Sequence, residues 1–164
     1  MKLLVKAGIL VSTLIVELVL VNLMDLNTVK PDLILIVVIC LSFISSNEEG
    51  ILAGFIGGLL KDIFSVHLLG INALVKTIIC YLSGIIRGKI FYQHLLWLVA
   101  ISTFVFTIFN NMMFFFLLNA LYSNYDFAVI LKKYILIQAI INTILAPPIF
   151  MGMQKLFNYL NRQG

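Results

Sequence analysis

The chain has 164 residues, of which 62% are hydrophobic and only 11% charged, and its formal net charge is +4. A soluble domain is typically about half apolar, so these proportions exclude a water-soluble fold, and no polar stretch is long enough to form a second, soluble domain. The 11 basic and 7 acidic residues sit mainly between apolar blocks, as membrane-flanking charges do, and form no nucleic-acid-binding patch.

The first block covers residues 7–23, with Lys2 and Lys6 ahead of it. That order resembles a signal peptide, but Glu17 interrupts the apolar core and no small-x-small cleavage pattern follows, so a retained first span is expected. A polar turn, Asp25-Leu26-Asn27-Thr28, leads to Pro31 and Asp32. Proline suits the first turn of a helix, where its missing N–H is not needed, and an acid there complements the positive end of the helix dipole. The second block, Leu33–Ile44, has only 12 residues. As a helix it covers roughly 18 Å against a hydrocarbon core of about 30 Å, so it must borrow flanking serines or lie against other protein.

Ser46-Asn47-Glu48-Glu49 carries helix-start chemistry and opens a third short block, residues 50–60, ended by Lys61-Asp62. A fourth covers residues 71–86, with Lys76 inside it and Arg87-Gly88-Lys89 closing it. The fifth, Leu95–Leu121, has 27 residues without a charge. The sixth covers residues 134–151 and contains Pro147-Pro148, where the helix is expected to kink or stop. The expectation is an all-α polytopic protein of about six transmembrane helices in a single integral membrane domain, residues 1–164. A re-entrant third segment would leave five crossings.

Six spans put both termini on one side. Taking that side as cytoplasmic places Lys2, Lys6, Arg87, Lys89, Lys155 and Arg162 inside, and Lys30, Lys61, Lys132 and Lys133 outside, in keeping with the positive-inside rule. Tyr92, Trp97, Tyr122, Tyr125 and Tyr159 fall at block ends, as an aromatic belt would have them.

Gly50, Gly54 and Gly58 recur every four residues, and Asp62 continues the step along one helix face. Bare backbone there admits close helix approach, either within the bundle or from a partner's helix or a ligand. A charge at mid-bilayer costs roughly 2.5–3.5 kcal/mol, so Asp62 and Lys76 must face protein. Lys76 lies one turn after Asn72. Either Lys76 neutralises Asp62 or Glu17, or extends to the headgroups, or Asp62, Asn72 and Lys76 wall a polar pocket. Asn110, Asn111, Gln138 and Asn142 read as interhelical hydrogen-bond donors and acceptors.

Catalytic signatures are missing. No nucleophile elbow surrounds Ser65. His67 and His94 are not at metal-ligand spacing from each other or from Cys40 and Cys80, which read as plain buried thiols. The glycines follow neither a Walker nor a dinucleotide-binding pattern. No enzyme, cofactor or metal is expected.

Several fragments fall in a familiar order: Pro31-Asp32-Leu33, then Gly50-x-x-x-Gly54-Phe55-x-x-Gly58-Leu59-x-x-Asp62, then Leu69-Gly70-x-Asn72-Ala73-Leu74, with Gly84 beyond. In these the chain resembles the rod shape-determining protein MreD family. The resemblance implies a non-enzymatic scaffold of the bacterial elongation complex, in the cytoplasmic membrane, that binds MreC. Through MreC or directly it would work with MreB, RodA and a class B penicillin-binding protein in lateral wall synthesis. It also implies a fold similar to the S components of energy-coupling-factor transporters, and a polar pocket around Asp32, Asp62 and Asn72. Lys61 departs from the family pattern, since an apolar residue is commoner before the acid. The alternative reading is a membrane subunit of a transporter that binds a vitamin-sized solute.

Overall fold

The computed structural model describes residues 2–23, 29–64, 70–89, 95–121 and 135–163. Ser65, His67, Tyr92, His94, Tyr122, Tyr125, Lys132 and Lys133 lie outside them. Among the described residues six α-helices follow one another: α1 Lys2–Leu23, α2 Leu33–Ile44, α3 Asn47–Phe64, α4 Ile71–Lys89, α5 Leu95–Leu121 and α6 Leu136–Gln163. Four of these, α1, α4, α5 and α6, are long and apolar enough to cross a membrane.

The short helix α2 is the axis of the bundle. It touches all five other helices, and every side chain from Leu33 to Phe43 is buried. A helix that is hydrophobic all round has no face to give to a polar surrounding and is stable only inside other protein. Its shortness is tolerated because its backbone ends meet protein groups rather than lipid. The longer helices present apolar side chains outward, among them Ile15, Trp97, Phe116 and Ile144. Polar groups such as Asn142, Thr107 and Lys76 are buried inside.

Helix α3 starts with a capping box, in which the Glu49 N–H donates to Ser46 Oγ and the Ser46 N–H to Glu49 Oε2. It then packs more extensively on α4 than on any other helix. A Cβ added to Gly58 would lie 2.4 Å from Ala73 Cα and 2.5 Å from Asn72 O, and one on Gly54 2.7 Å from Lys76 O. One on Gly50 would lie 2.9 Å from Ser42 Oγ of α2. The glycine face is therefore filled by helices of the chain itself. Gly70, with φ of 103°, makes the left-handed turn that starts α4.

Of the two outcomes expected at Pro147-Pro148, the stop is not made: α6 continues to Gln163 with both prolines inside it. In lipid the alternative to helix is backbone with no hydrogen-bond partner at all, which costs more than the bonds the two prolines remove.

Helices α5 and α6 are also stitched by polar side chains. Asn111 Nδ2 donates to Gln138 Oε1 at 2.7 Å, and Asn142 Nδ2 to Thr107 Oγ1 at 3.2 Å. Such bonds average only about 0.6 kcal/mol in membranes. Asn111→Leu is accordingly expected to lower the melting temperature of the detergent-solubilised protein by no more than a few degrees. A collapse of folded yield would contradict this.

Candidate functional site

The start of helix α2 is buried, with Leu33 8% and Ile34 0% exposed, so its unpaired N–H groups, the positive end of its dipole, lie inside the bundle. Two carboxylates meet them. Asp32 Oδ1 accepts from the Leu35 N–H at 2.9 Å, and Glu17 Oε2, from α1, accepts from the Ile34 N–H at 2.9 Å. Asp32 is 4% exposed and Glu17 7%. Helix α4 starts in the same way, on a carboxylate supplied by α3. Asp62, 1% exposed, accepts from the backbone N–H groups of Gly70, Asn72 and Ala73 and from Asn72 Nδ2, at 2.9–3.1 Å.

Two lysines lie between these carboxylates. Lys61 Nζ is 2.9 Å from Glu17 Oε1 and 2.7 Å from Asp32 Oδ2. Lys76 Nζ, fully buried, is 3.3 Å from Asp32 Oδ2 and 3.1 Å from Asn72 Oδ1. On the far side the Asp32 N–H donates to Asn142 Oδ1 at 3.1 Å, which joins the cluster to α6 and, through Thr107, to α5. All six helices thus contribute to one polar core. Three carboxylates face two ammonium groups and two helix N-termini, each worth roughly half a positive charge.

The four polar residues singled out in the sequence, Asp32, Asp62, Asn72 and Lys76, are brought together here. The ion pairing differs from the sequence expectation, however. Lys76 pairs with Asp32, because both oxygens of Asp62 are aimed at the start of α4. Lys61, read from sequence as a charge outside the membrane, has its ammonium in this core. Glu17 and Lys61 are the residues that sequence reasoning undervalued. Their signal was arithmetic, since three acids in or beside apolar blocks require more than one buried cation.

A second polar contact closes the opposite end of the bundle. Lys6 Nζ is 2.7 Å from Glu49 Oε2 and 5.8 Å from the centre of the Phe157 ring, joining α1, α3 and α6. Arg87 bonds Ser45 O and Asn47 Oδ1, tying the end of α4 to the α2–α3 turn. Glu49 precedes the apolar part of α3, and its hydrogen bond from Lys6 holds its carboxyl below the usual carboxylate value of 4.5. A depressed pKa means that this contact is complete above 4.5 and is lost as pH falls through the lowered value. Glu49 is half in solvent, so its share of stability is small. Acid loosening of the α1–α3 contact, followed by hydrogen exchange near Lys6, is expected in the parent chain and absent from Glu49→Gln.

A bundle with lipid-compatible flanks and a charged interior satisfied from within defines a polytopic helical membrane protein. More narrowly, the chain matches the family model for rod shape-determining protein MreD over residues 2–156, nearly its whole length, and it belongs to that family. No curated protein and no solved structure matches it.

Proposed function

We propose that this protein is a non-enzymatic scaffold of the bacterial elongation complex, a single membrane domain that holds MreC by helix packing in the cytoplasmic membrane. Both termini face the cytoplasm. Through MreC or directly, the scaffold supports MreB, RodA and a class B penicillin-binding protein in lateral peptidoglycan synthesis. Family membership gives the setting. The observation that carries the scaffold reading is the polar core shared by the six described helices. Asp32, Asp62, Asn72 and Lys76 direct their charges and hydrogen bonds at helix ends and at one another. Such an arrangement fixes the relative positions of six helices, which a scaffold needs.

The S-component-like solute-binding alternative requires a ligand pocket, which for small molecules measures roughly 300–1,000 Å³ and offers polar groups to its guest. In this bundle the axis is occupied by α2. Purification from native membranes in mild detergent is the deciding experiment. The scaffold reading expects MreC among the retained chains and no vitamin-sized molecule in the denatured extract. A stoichiometric small solute without MreC would overturn it.

A further inference from the structure

Helix α3 has spent its inner face on glycines. Gly54 and Gly58 let it sink against α4, while Gly57 meets Val38 and Ile34 of α2. Its outer face is a ridge of large apolar side chains, with Leu52 43% and Phe55 48% exposed. The ridge runs between two depressions. One lies toward α1, about 110 Å³ in volume and walled by Ala7, Leu10, Ala53 and Ile56. The other lies toward α4, open, and walled by Ile51, Phe55 and Thr77. Leu52 borders both. A ridge flanked by two grooves is the surface that another helix packs on.

The charge at the mouth of these grooves selects the occupant. Glu49 is paired with Lys6, whereas Glu48, exposed at the rim of the α4-side groove, makes no ion pair among the described residues. Every phospholipid headgroup carries a phosphate, and the cytoplasmic leaflet is anionic. A carboxylate at this point therefore works against a resident lipid. It favours the Lys- or Arg-bearing flank that a spanning helix carries on its cytoplasmic side.

We propose that the Leu52/Phe55 ridge of α3, with Glu48 at its end, is the docking surface for one transmembrane helix of a partner protein whose cytoplasmic flank is basic. This rests on the scaffold reading and on the orientation given with it, and it names the face on which that contact is made.

The test is photocrosslinking in native membranes. The full-length chain carries a photoreactive phenylalanine at position 52 or 55, or at Ile144 on the exposed face of α6 as the control, and tagged MreC is co-expressed. MreC adducts are expected at 52 and 55 and not at 144. Glu48→Lys, which turns one attraction into a repulsion, is expected to lower co-purified MreC about fivefold at low salt, with Glu48→Gln between the two. Phospholipid adducts alone at 52 and 55, with MreC still co-purifying, would assign the groove to lipid and overturn this inference while leaving the scaffold reading intact. Adducts at 144 instead of 52 and 55 would do the same. Failure of the unmodified chain to retain MreC would overturn both.

Discussion

Gly58→Ala is expected to remove most of the folded protein from the membrane, although it adds a single methyl group. That methyl would sit 2.4 Å from Ala73 Cα and 2.5 Å from Asn72 O, backbone atoms of a neighbouring helix with no rotamer by which to retreat. Overpacking of a core side chain costs about 1–3 kcal/mol, and a clash with fixed backbone belongs at the top of that range. The displacement would also propagate, because Asn72 and Ala73 are the residues whose N–H groups Asp62 holds. Gly54→Leu meets Lys76 O and Cys80 Sγ in the same way, and the same loss is expected. Gly8, on α1, has nothing within 4 Å of an added Cβ. Gly8→Ala should therefore leave folding unchanged, or improve it by up to about 1 kcal/mol through helix propensity. Size-exclusion profiles and thermal melts in detergent measure the three variants, and cell shape at matched abundance reports the consequence. A Gly58→Ala protein with a parental melting temperature would show that the α3–α4 contact is not a tight one.

The second large effect is expected at Asp32. Asp32→Asn keeps an N-cap side chain for α2 but removes the charge that Lys61 and Lys76 share. Removing one partner of a buried ion pair typically costs about 3–5 kcal/mol, because the remaining charge is left without compensation. Asp32→Asn should thus destabilise far more than loss of a cap, which is worth about 1 kcal/mol. Adding Lys76→Met removes the orphaned ammonium and should recover part of the loss, since contacting residues do not contribute additively. The double variant melting no higher than Asp32→Asn would mean that the lysine is not held by that carboxylate. Glu17 and Lys61 form a parallel cycle, with a smaller effect because Lys61 is a quarter exposed.

Membership of the rod shape-determining family gives these stability predictions a cellular readout. A bundle whose helix positions are set by one shared polar core transmits a single lost charge to all six described helices. Variants of the core should therefore fail in assembly and in rod shape together. Variants of the Leu52/Phe55 ridge should fold normally and fail in assembly alone.

The sequence by itself determined a good deal here. Long runs without charge read as membrane helices, because lipid offers the backbone no hydrogen bonds, and four of the described helices are long and apolar enough to cross a membrane. Each of the six described helices overlaps one apolar block, with α5 reproducing the charge-free run of residues 95–121 end to end and α6 running past its block to Gln163. The step from Gly50 to Gly54 to Gly58 put those residues on one face, since helical period is a local property. The interhelical role of Asn111, Gln138 and Asn142 was readable because a polar side chain in an apolar span must find a partner. Which partner it finds is a different question, and only the tertiary structure decided it. Lys76 had three acids to choose from. The choice of Asp32 depends on Asp62 being turned to the start of α4, a contact between helices that no spacing encodes. Lys61 had a place at the edge of an apolar block and so read as an exposed charge, yet the crossing of α1 and α3 brings Glu17 to it. Periodicity and hydropathy act within one helix, whereas ion pairing depends on how the five other described helices are arranged around α2.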